Sequence, residues 1–528
     1  MFKNKKILLI CKESFSFPLF FLAKNLLQHG NSVGAFFIHP EEGYYNKSIY
    51  NKDTYYNFKE NLSEVKLYDL IDLCNAFNEN LTQKKIDLNY LEKIEKDYSN
   101  FKNFNLQLTS SQLTTRHFHT RFFFNRTTLE QNQIFLELGY KRVIQVLDEF
   151  EPDIILDIED GELLRSIINE VAFKRKIPYV NIDYPRYEGY KIPTYCLGVK
   201  NEKYLTLEYA KCFAKLEEEL IDEYEYVMDF RNGNDIMSRE FKGTITSQYE
   251  PENWYISIKN LVEKILFFWS VFIISGNLKL KRKKQILYSN PIKHFLFYLK
   301  VAIKRQYLFK KNRYFENPEM NDTYVYMPLH LIPESTTFVK APFYINELNI
   351  IEQVSKSLPI NWKLYVKEHQ AMVGERSLSF YSAVKKFPNV KLVKFNYYSD
   401  PKPWIQNAKG VVAISGTGAY EAAMLGKKSI IFADVPFALI EGVHHVHSFE
   451  ELPQLLASFT SIDNIKSCAS YLAAIKSTGK ELNLKYLIAE GERIICQKSV
   501  ISKKFENEIN KLVEFFSEAY DAYPVRTL

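Results

Sequence analysis

"VVAISGTGAYEAAMLGKKSIIF" (residues 411–432) sets an apolar run, a turn of small residues, a lone Glu421 and a second apolar run side by side. Val411 to Ile414 reads as a strand, Ser415-Gly416-Thr417-Gly418 as a loop, and Ala419 to Leu425 as a helix stopped by Gly426. A strand, a hydroxyl- and glycine-bearing loop and a helix start together present free backbone N–H groups and the positive end of a helix dipole to an anion. The two glycines let a phosphate approach closely, Ser415 and Thr417 can donate hydrogen bonds, and Glu421 can accept them from ribose hydroxyls. A second reading fits the same residues: Ser415 or Thr417 caps the helix and Glu421 completes a capping arrangement.

One α/β unit upstream, "WKLYVKEHQ" carries Lys367, Glu368 and His369 to the carboxyl end of a strand over Lys363 to Val366. Lys367 and His369 alternate to the same side, so both can face one ligand and stabilise the charge on a departing phosphate. The alternative is a solvated strand end. Both stretches belong to an α/β series that starts at "TYVYMPLHLIPEST", which contains His330. The chain opens with a similar pattern: "KKILLICKES" and "FPLFFLAKNLLQHGNSVGAFFIHP" read strand, loop, helix, strand, with the helix ending at His29-Gly30. A further unit, "EPDIILDIEDGELLRSIINEVAFKRKIPYVNID", puts Glu159 and Asp160 at the carboxyl end of a strand, where open parallel sheets bind their ligands. A carboxylate there can serve as base or nucleophile, and Arg165 can clamp a ligand carboxylate. The alternative is an Asp-Gly turn whose Asp caps the helix. Residues 205–230 read as one long helix, and residues 44–133 as irregular helices of unassigned purpose.

The chain has 528 residues, 46% hydrophobic and 25% charged, which fits a globular protein of two domains with attachments. A net charge of +6 is modest for that length, and no nucleic-acid recognition motif accompanies it. Twelve cations and no acid lie between Lys279 and Arg313, a candidate contact with an anionic lipid surface. The apolar run Ile265 to Ser275 is too short to span a bilayer, which takes roughly 20 residues. Six scattered cysteines without a CxxC pair argue against a zinc ribbon or disulfide framework, and His444, His445 and His447 read as a loop after a strand. The stretch "TTRHFHTRFFFNR" (residues 114–126) reads as a partly buried helix, with contact to an acidic acceptor as the alternative. No metal and no cofactor are expected. The short apolar N-terminus, with no small-residue cleavage site, reads as a first strand, so the expected location is cytoplasmic, or peripheral on the inner face of the membrane.

The C-terminal series, with "YVKEHQ" and "ISGTGAYEAAMLGKK" in that order and spacing, resembles the bacterial capsule polysaccharide biosynthesis glycosyltransferases of GT-B fold, the group that includes the KpsC and KpsS β-Kdo transferases. "EDGELLRS" is similar to that group's Glu-Asp-Gly-Phe-Leu-Arg-Ser, with one inserted residue. The resemblance implies two Rossmann-like domains facing a central cleft. It also implies a nucleotide-sugar site at Lys367, His369, Ser415, Gly416, Thr417, Gly418 and Glu421, with His330 beside it. It makes Asp160 the carboxylate that attacks the anomeric carbon in a retaining double displacement, with Glu159 and His369 as further catalytic candidates and Arg165 on the carboxylate of a Kdo-like donor. Gln370 stands where the family usually has Pro, and His330 where Gln is common. The implied partners are a CMP-sugar first, a UDP-sugar second, and a saccharide or lipid-linked saccharide acceptor, with a catalytically silent assembly or lipid-binding subunit as the reading from another class. The expected division is an acceptor domain over 1–245, a helical basic link over 246–318, a nucleotide-sugar domain over 319–495 and a C-terminal helix over 496–528.

Overall fold

The computed structural model describes residues 2–38, 54–80, 86–111, 114, 126–197, 203–236, 259, 262–263, 266, 291–311 and 313–523. Most of the apolar run 265–275, the cations at 279–284 and the stretch 115–125 lie outside the described residues.

Two sheets carry the fold. The first uses β1 (Lys6–Cys11), β2 (Ser32–Phe37), β3 (Lys66–Tyr68), β4 (Ile154–Leu156), β5 (Tyr179–Asp183) and β6 (Tyr190–Thr194). The second uses β7 (Thr323–Pro328), β8 (Trp362–Lys367), β9 (Val390–Val393), β10 (Val411–Ala413), β11 (Ser429–Ile431) and β12 (Val443–His445), while β13 (Lys480–Glu481) returns to the first sheet. Their spatial orders are β13-β6-β5-β4-β1-β2-β3 and β12-β11-β10-β7-β8-β9. Strands β1 to β5 run parallel, β6 and β13 are antiparallel additions at one edge, and the second sheet is parallel throughout. Numbered within each half, both sheets have the doubly wound order 3-2-1-4-5, so each reverses direction between its first and fourth strands. This is the two-domain Rossmann-like architecture of the GT-B fold class.

The strands are buried on both faces, as helix-covered parallel strands must be: every residue of β1 after Lys6, and all of β4, β10 and β11, is buried. Gly30 and Gly426 take φ of +77° and +69° at the ends of their helices, the left-handed stop that lets the chain turn back into β2 and β11. The predicted single helix over 205–230 is two, Lys203–Phe213 and Ile221–Asn232. The first ends at Phe213; Glu219 then accepts from the Leu216 backbone N–H at 2.9 Å, an N-terminal capping contact, and the acidic run Glu217–Glu219 supplies a new helix start. The predicted loop at the His cluster is in part strand β12.

The chain crosses between the halves several times. Helix Ile465–Thr478 packs against both Lys203–Phe213 and Ile221–Asn232, and helices Leu484–Gln497 and Lys503–Asp521 return to pack on helix Ser16–Gln28. One apolar cluster therefore runs from Leu9 and Leu156 through Tyr471 and Phe516 to Val366 and Ile414. Burial at roughly 25 cal/mol per Å² makes that shared core the main link between the halves.

Candidate functional site

The two reversal points face each other across a cavity of about 560 Å³. From the first sheet come Lys12 after β1, then Glu159 and Asp160 after β4, and Arg186 after β5; from the second half come Lys340 and Thr417. Open parallel sheets bind ligands where the strand order reverses, because diverging loops leave a crevice at the strands' carboxyl ends.

Asp160 is half-buried in that wall, with Lys340 Nζ 3.7 Å from its Oδ2. Lys340 also donates to Asp183 Oδ1 at 2.6 Å, so a cation from the second half bridges the ends of β4 and β5. Although burial opposes it, Lys340 holds the Asp183 carboxyl below its ordinary range. Glu159 pairs with Arg165 and lies 3.6 Å from Lys12 Nζ. Burial works against its charge, but Arg165 and Lys12 together keep its carboxyl below the usual range, which makes it a poor proton acceptor.

Arg165 does not face the cavity. It is fully buried, with Nε on Asp157 Oδ2 at 2.7 Å and Nη1 on both Glu159 and the Gly161 carbonyl, the latter at 2.8 Å. Its predicted place on a ligand carboxylate is therefore taken by protein, and its geometry is that of a brace under the Glu159-Asp160-Gly161 turn. Asp157 Oδ1 accepts from the Ile158 N–H at 2.8 Å, and Tyr179 donates to Oδ2 at 2.9 Å.

On the second half, His330, Lys367, His369, Ser415, Gly416 and Glu421 gather beside Thr417. Helix Thr417–Met424 has Gly416 at its N-cap and no side-chain cap bond, so Ser415, Thr417 and Glu421 do not form the capping arrangement open to them by sequence. The Ser415 backbone N–H reaches His330 Nε2 at 3.4 Å, and the other ring nitrogen, Nδ1, lies 3.6 Å from Glu347 Oε1. Ser415 Oγ is buried with no hydrogen-bond partner among the described residues. The glycines also lie close to the protein's own side chains: a Cβ on Gly416 would stand 3.0 Å from His330 Nε2, and one on Gly418 3.1 Å from Pro328 Cγ.

Burial first, and then Asp400, push the Glu421 carboxyl up to about 8, while burial pushes Lys367 down to about 8 against the pull of Glu421. His369 is reached by solvent yet walled by protein; that desolvation and the charges of His330 and Lys367 push it down to about 4. A neutral imidazole beside a lysine of near-neutral pKa can donate hydrogen bonds to an arriving phosphate without confronting it with a fixed carboxylate.

A buried cluster that the sequence did not point to holds the histidines. Arg376 Nη1 contacts Glu347 Oε2 at 2.6 Å, and its Nε contacts Glu368 Oε2 at 2.8 Å. Glu347 accepts from the His330 N–H at 2.7 Å, Glu368 from the His369 N–H at 2.6 Å, and Tyr381 donates to Glu368 at 2.7 Å. Lys340 gave no sequence signal, because its role arises only when the halves meet. His445 pairs with Asp434 at 3.0 Å, and among the described residues no group of three or more His, Cys, Asp or Glu could hold a metal ion. No described helix is long and apolar enough to cross a membrane.

No family model matches the chain, and no curated protein matches it. Among solved structures, it is similar to the β-Kdo 2,7 transferase of Thermosulfurimonas dismutans KpsC, at 11% identity over 63% of this chain and 80% of that one, with a TM-score of 0.29. It is also similar to the β-Kdo 2,4 transferase of the same organism's KpsC, at 12% identity, 64% and 87% coverage and a TM-score of 0.30. A third is the UDP-GlcNAc 2-epimerase of Methanocaldococcus jannaschii in complex with UDP-GlcNAc and UDP, at 12% identity, 89% and 99% coverage and a TM-score of 0.27. At such values the likeness assigns no residue a role.

Proposed function

We propose that this chain is a GT-B glycosyltransferase of bacterial surface polysaccharide synthesis, moving a Kdo-like ulosonic acid from a CMP-activated donor with retention. The observation that carries the reading is the meeting of Asp160 and Thr417 in one cavity, each just beyond the reversal point of its own sheet.

In the reaction so inferred, the Asp160 carboxylate attacks the anomeric carbon and the bond to the phosphate oxygen breaks, with the electron pair leaving on CMP. Lys367, His369 and the uncapped N–H groups of helix Thr417–Met424 stabilise that leaving phosphate. An acceptor hydroxyl then attacks the anomeric carbon, the bond to Asp160 breaks with its electron pair returning to the carboxylate, and the hydroxyl proton passes to solvent, which completes the second inversion. Lys340 shields Asp160 from the like charges of Glu159 and Asp183. Glu159, tied to Arg165 and Lys12, positions the loop. The described part of the basic segment, helix Pro291–Lys311, has six cations, no acid, and exposed Ile292, Leu296 and Ile303, which supports a resting place on an anionic membrane surface.

The test is a thermal-shift panel of CMP, UDP, GDP and CDP on the full chain, followed by transfer assays with wild type and Asp160→Ala. CMP should stabilise the protein by about 2.7 kcal/mol at one hundred times its dissociation constant. Asp160→Ala should keep that binding and lose transfer by at least roughly a thousandfold. Stabilisation by UDP in place of CMP reassigns the donor, and undiminished transfer or polysaccharide in the variant overturns the catalytic reading.

A further inference from the structure

Five cations line the cavity, and four of them are already engaged. Lys12 lies 3.6 Å from both Glu159 and Glu162, and Lys340 is held by Asp183 and Asp160. Lys191 reaches the Gly189 and Tyr190 carbonyls at 3.4 and 3.3 Å, and Lys485 also has a partner. Arg186 is the exception: half-buried in the same wall, its guanidinium has neither an ion pair nor a hydrogen bond to any described residue.

The backbone holds it there at a cost. Arg186 has a φ of +70°, a left-handed conformation that is strained for a residue with a Cβ. Its neighbours enforce that conformation. Tyr471, from the second half, donates to the Pro185 carbonyl at 2.6 Å. The Tyr187 ring stacks on Tyr190 at 4.9 Å and meets Tyr226 edge-on at 5.1 Å. A strained residue clamped on both sides, with five donors free in a cavity, is built to present those donors to something absent from the chain itself. Its place is suggestive too: three residues beyond β5, next in the sheet to β4 with Asp160, and near enough to the second half for its charge to be felt at Glu421.

We propose that Arg186 is the anion receptor of the cleft, binding through its guanidinium fork an anionic oxygen group of the donor next to the carbon that Asp160 attacks. Two groups share that chemistry, the phosphate of the nucleotide and the carboxylate of a sugar acid, and a guanidinium can hold either in a bidentate manner. The identification of the anion as part of a sugar nucleotide rests on the function proposed above. The existence of the anion site rests on Arg186 alone.

The experiment uses the full chain at constant ionic strength, with inorganic phosphate and pyruvate as probes and CMP as a third arm. Arg186→Gly is the informative variant, since glycine suits the positive φ and no hydrogen bond or ion pair to a described residue is lost. Its midpoint without ligand should equal or exceed that of wild type, while apparent affinity for the recognised anion falls at least tenfold. Arg186→Lys, which keeps the charge but not the fork, should recover only part of the loss. A response to phosphate assigns the group to the nucleotide, and a response to pyruvate alone assigns it to the sugar. Wild type that binds neither probe, or an Arg186→Gly protein that binds them as wild type does, overturns the proposal. Arg186-dependent anion binding without any nucleotide binding leaves it standing and sinks the sugar-nucleotide reading. Nucleotide binding that is indifferent to Arg186, together with no Arg186-dependent response to either phosphate or pyruvate, does the reverse.

Discussion

Behind each wall of the cleft lies one arginine between two carboxylates, with a tyrosine closing the set. In the first half Arg165 joins Asp157 and Glu159, and Tyr179 donates to Asp157. In the second Arg376 joins Glu368 and Glu347, and Tyr381 donates to Glu368. In both, the arginine follows the strand-end carboxylate by eight residues, and that carboxylate also accepts from the next backbone N–H. The clusters differ in what reaches the ligand. Glu159 is 20% exposed, shares Lys12 and forms part of the cavity wall, whereas Glu347 and Glu368 are 1% and 0% exposed and hold the backbone N–H groups of His330 and His369. A buried ion pair adds little net stability, because desolvation consumes most of the attraction; what it fixes is geometry. The first cluster fixes the turn that bears Asp160, and the second fixes the backbone of two histidines.

The sharpest way to break that comparison is to remove each arginine. Arg376→Met strands two fully buried carboxylates and should cost about 3–5 kcal/mol in urea unfolding. Arg165→Met should cost less, because Glu159 keeps Lys12 and some solvent. Equal losses would show that partial exposure of the first cluster has no energetic meaning. The pH dependence separates them further. Glu347 is buried, but Arg376 and His330 hold its carboxyl down to about 2, so its contribution is present above the ordinary carboxylate range and is lost as pH falls from about 4.5 to about 2. Arg376→Met should flatten that acid limb, and an unchanged limb would assign it to other carboxylates.

The next largest effect belongs to Glu421 and Lys367, which are coupled to each other beside the second cluster. Glu421 is raised to about 8, so between its ordinary value and pH 8 the unfolded chain has released a proton that the folded chain keeps, and stability falls as pH rises through that window. Lys367 is lowered to about 8, so above pH 8 the unfolded chain keeps a proton that the folded chain has lost, and stability rises towards pH 10.5. Together they place a minimum near pH 8. Glu421→Gln should remove the descending limb and leave the ascending one, as read from unfolding midpoints between pH 5 and 10. A variant that parallels wild type across that range would refute the assignment.

The sheets were legible because their strands are apolar runs closed by glycine and polar turns, and "VVAISGTG" and "ILDIEDG" mark the ends where a ligand site belongs. The places of candidate residues carried by one loop could be read in the same way: Asp160, Lys367, His369 and Thr417 all lie at or just beyond strand ends. Roles set by contact between distant segments could not. Arg165 reads equally as a ligand clamp or a brace until Asp157 and Glu159 are seen on either side of it. Lys340 and Arg186 acquire meaning only when the halves meet. The equal spacings of Asp157 to Arg165 and Glu368 to Arg376 were present in the sequence, but an acid and an arginine eight apart have many uses, and only the shared partners give that interval a meaning.

The smallest effect tests whether the second cluster acts on ligand through His330. Gly416 has an ordinary φ of −79°, so alanine there adds no backbone strain, and its cost comes only from the Cβ standing 3.0 Å from His330 Nε2. His330 cannot yield easily, since Glu347 holds its N–H and Arg376 its carbonyl at 3.1 Å. Overpacking of this kind costs about 1 kcal/mol or slightly more, and the displaced ring loses its bond to the Ser415 N–H. Gly418→Ala is the control. Its Cβ meets Pro328 rather than the histidine, and alanine in a helix recovers about 1 kcal/mol over glycine. Gly416→Ala should therefore weaken nucleotide binding severalfold with a modest fall in midpoint, while Gly418→Ala leaves the midpoint near that of wild type. If both variants bind nucleotide as wild type does, the histidine is a packing residue, and the second cluster braces the sheet rather than the site.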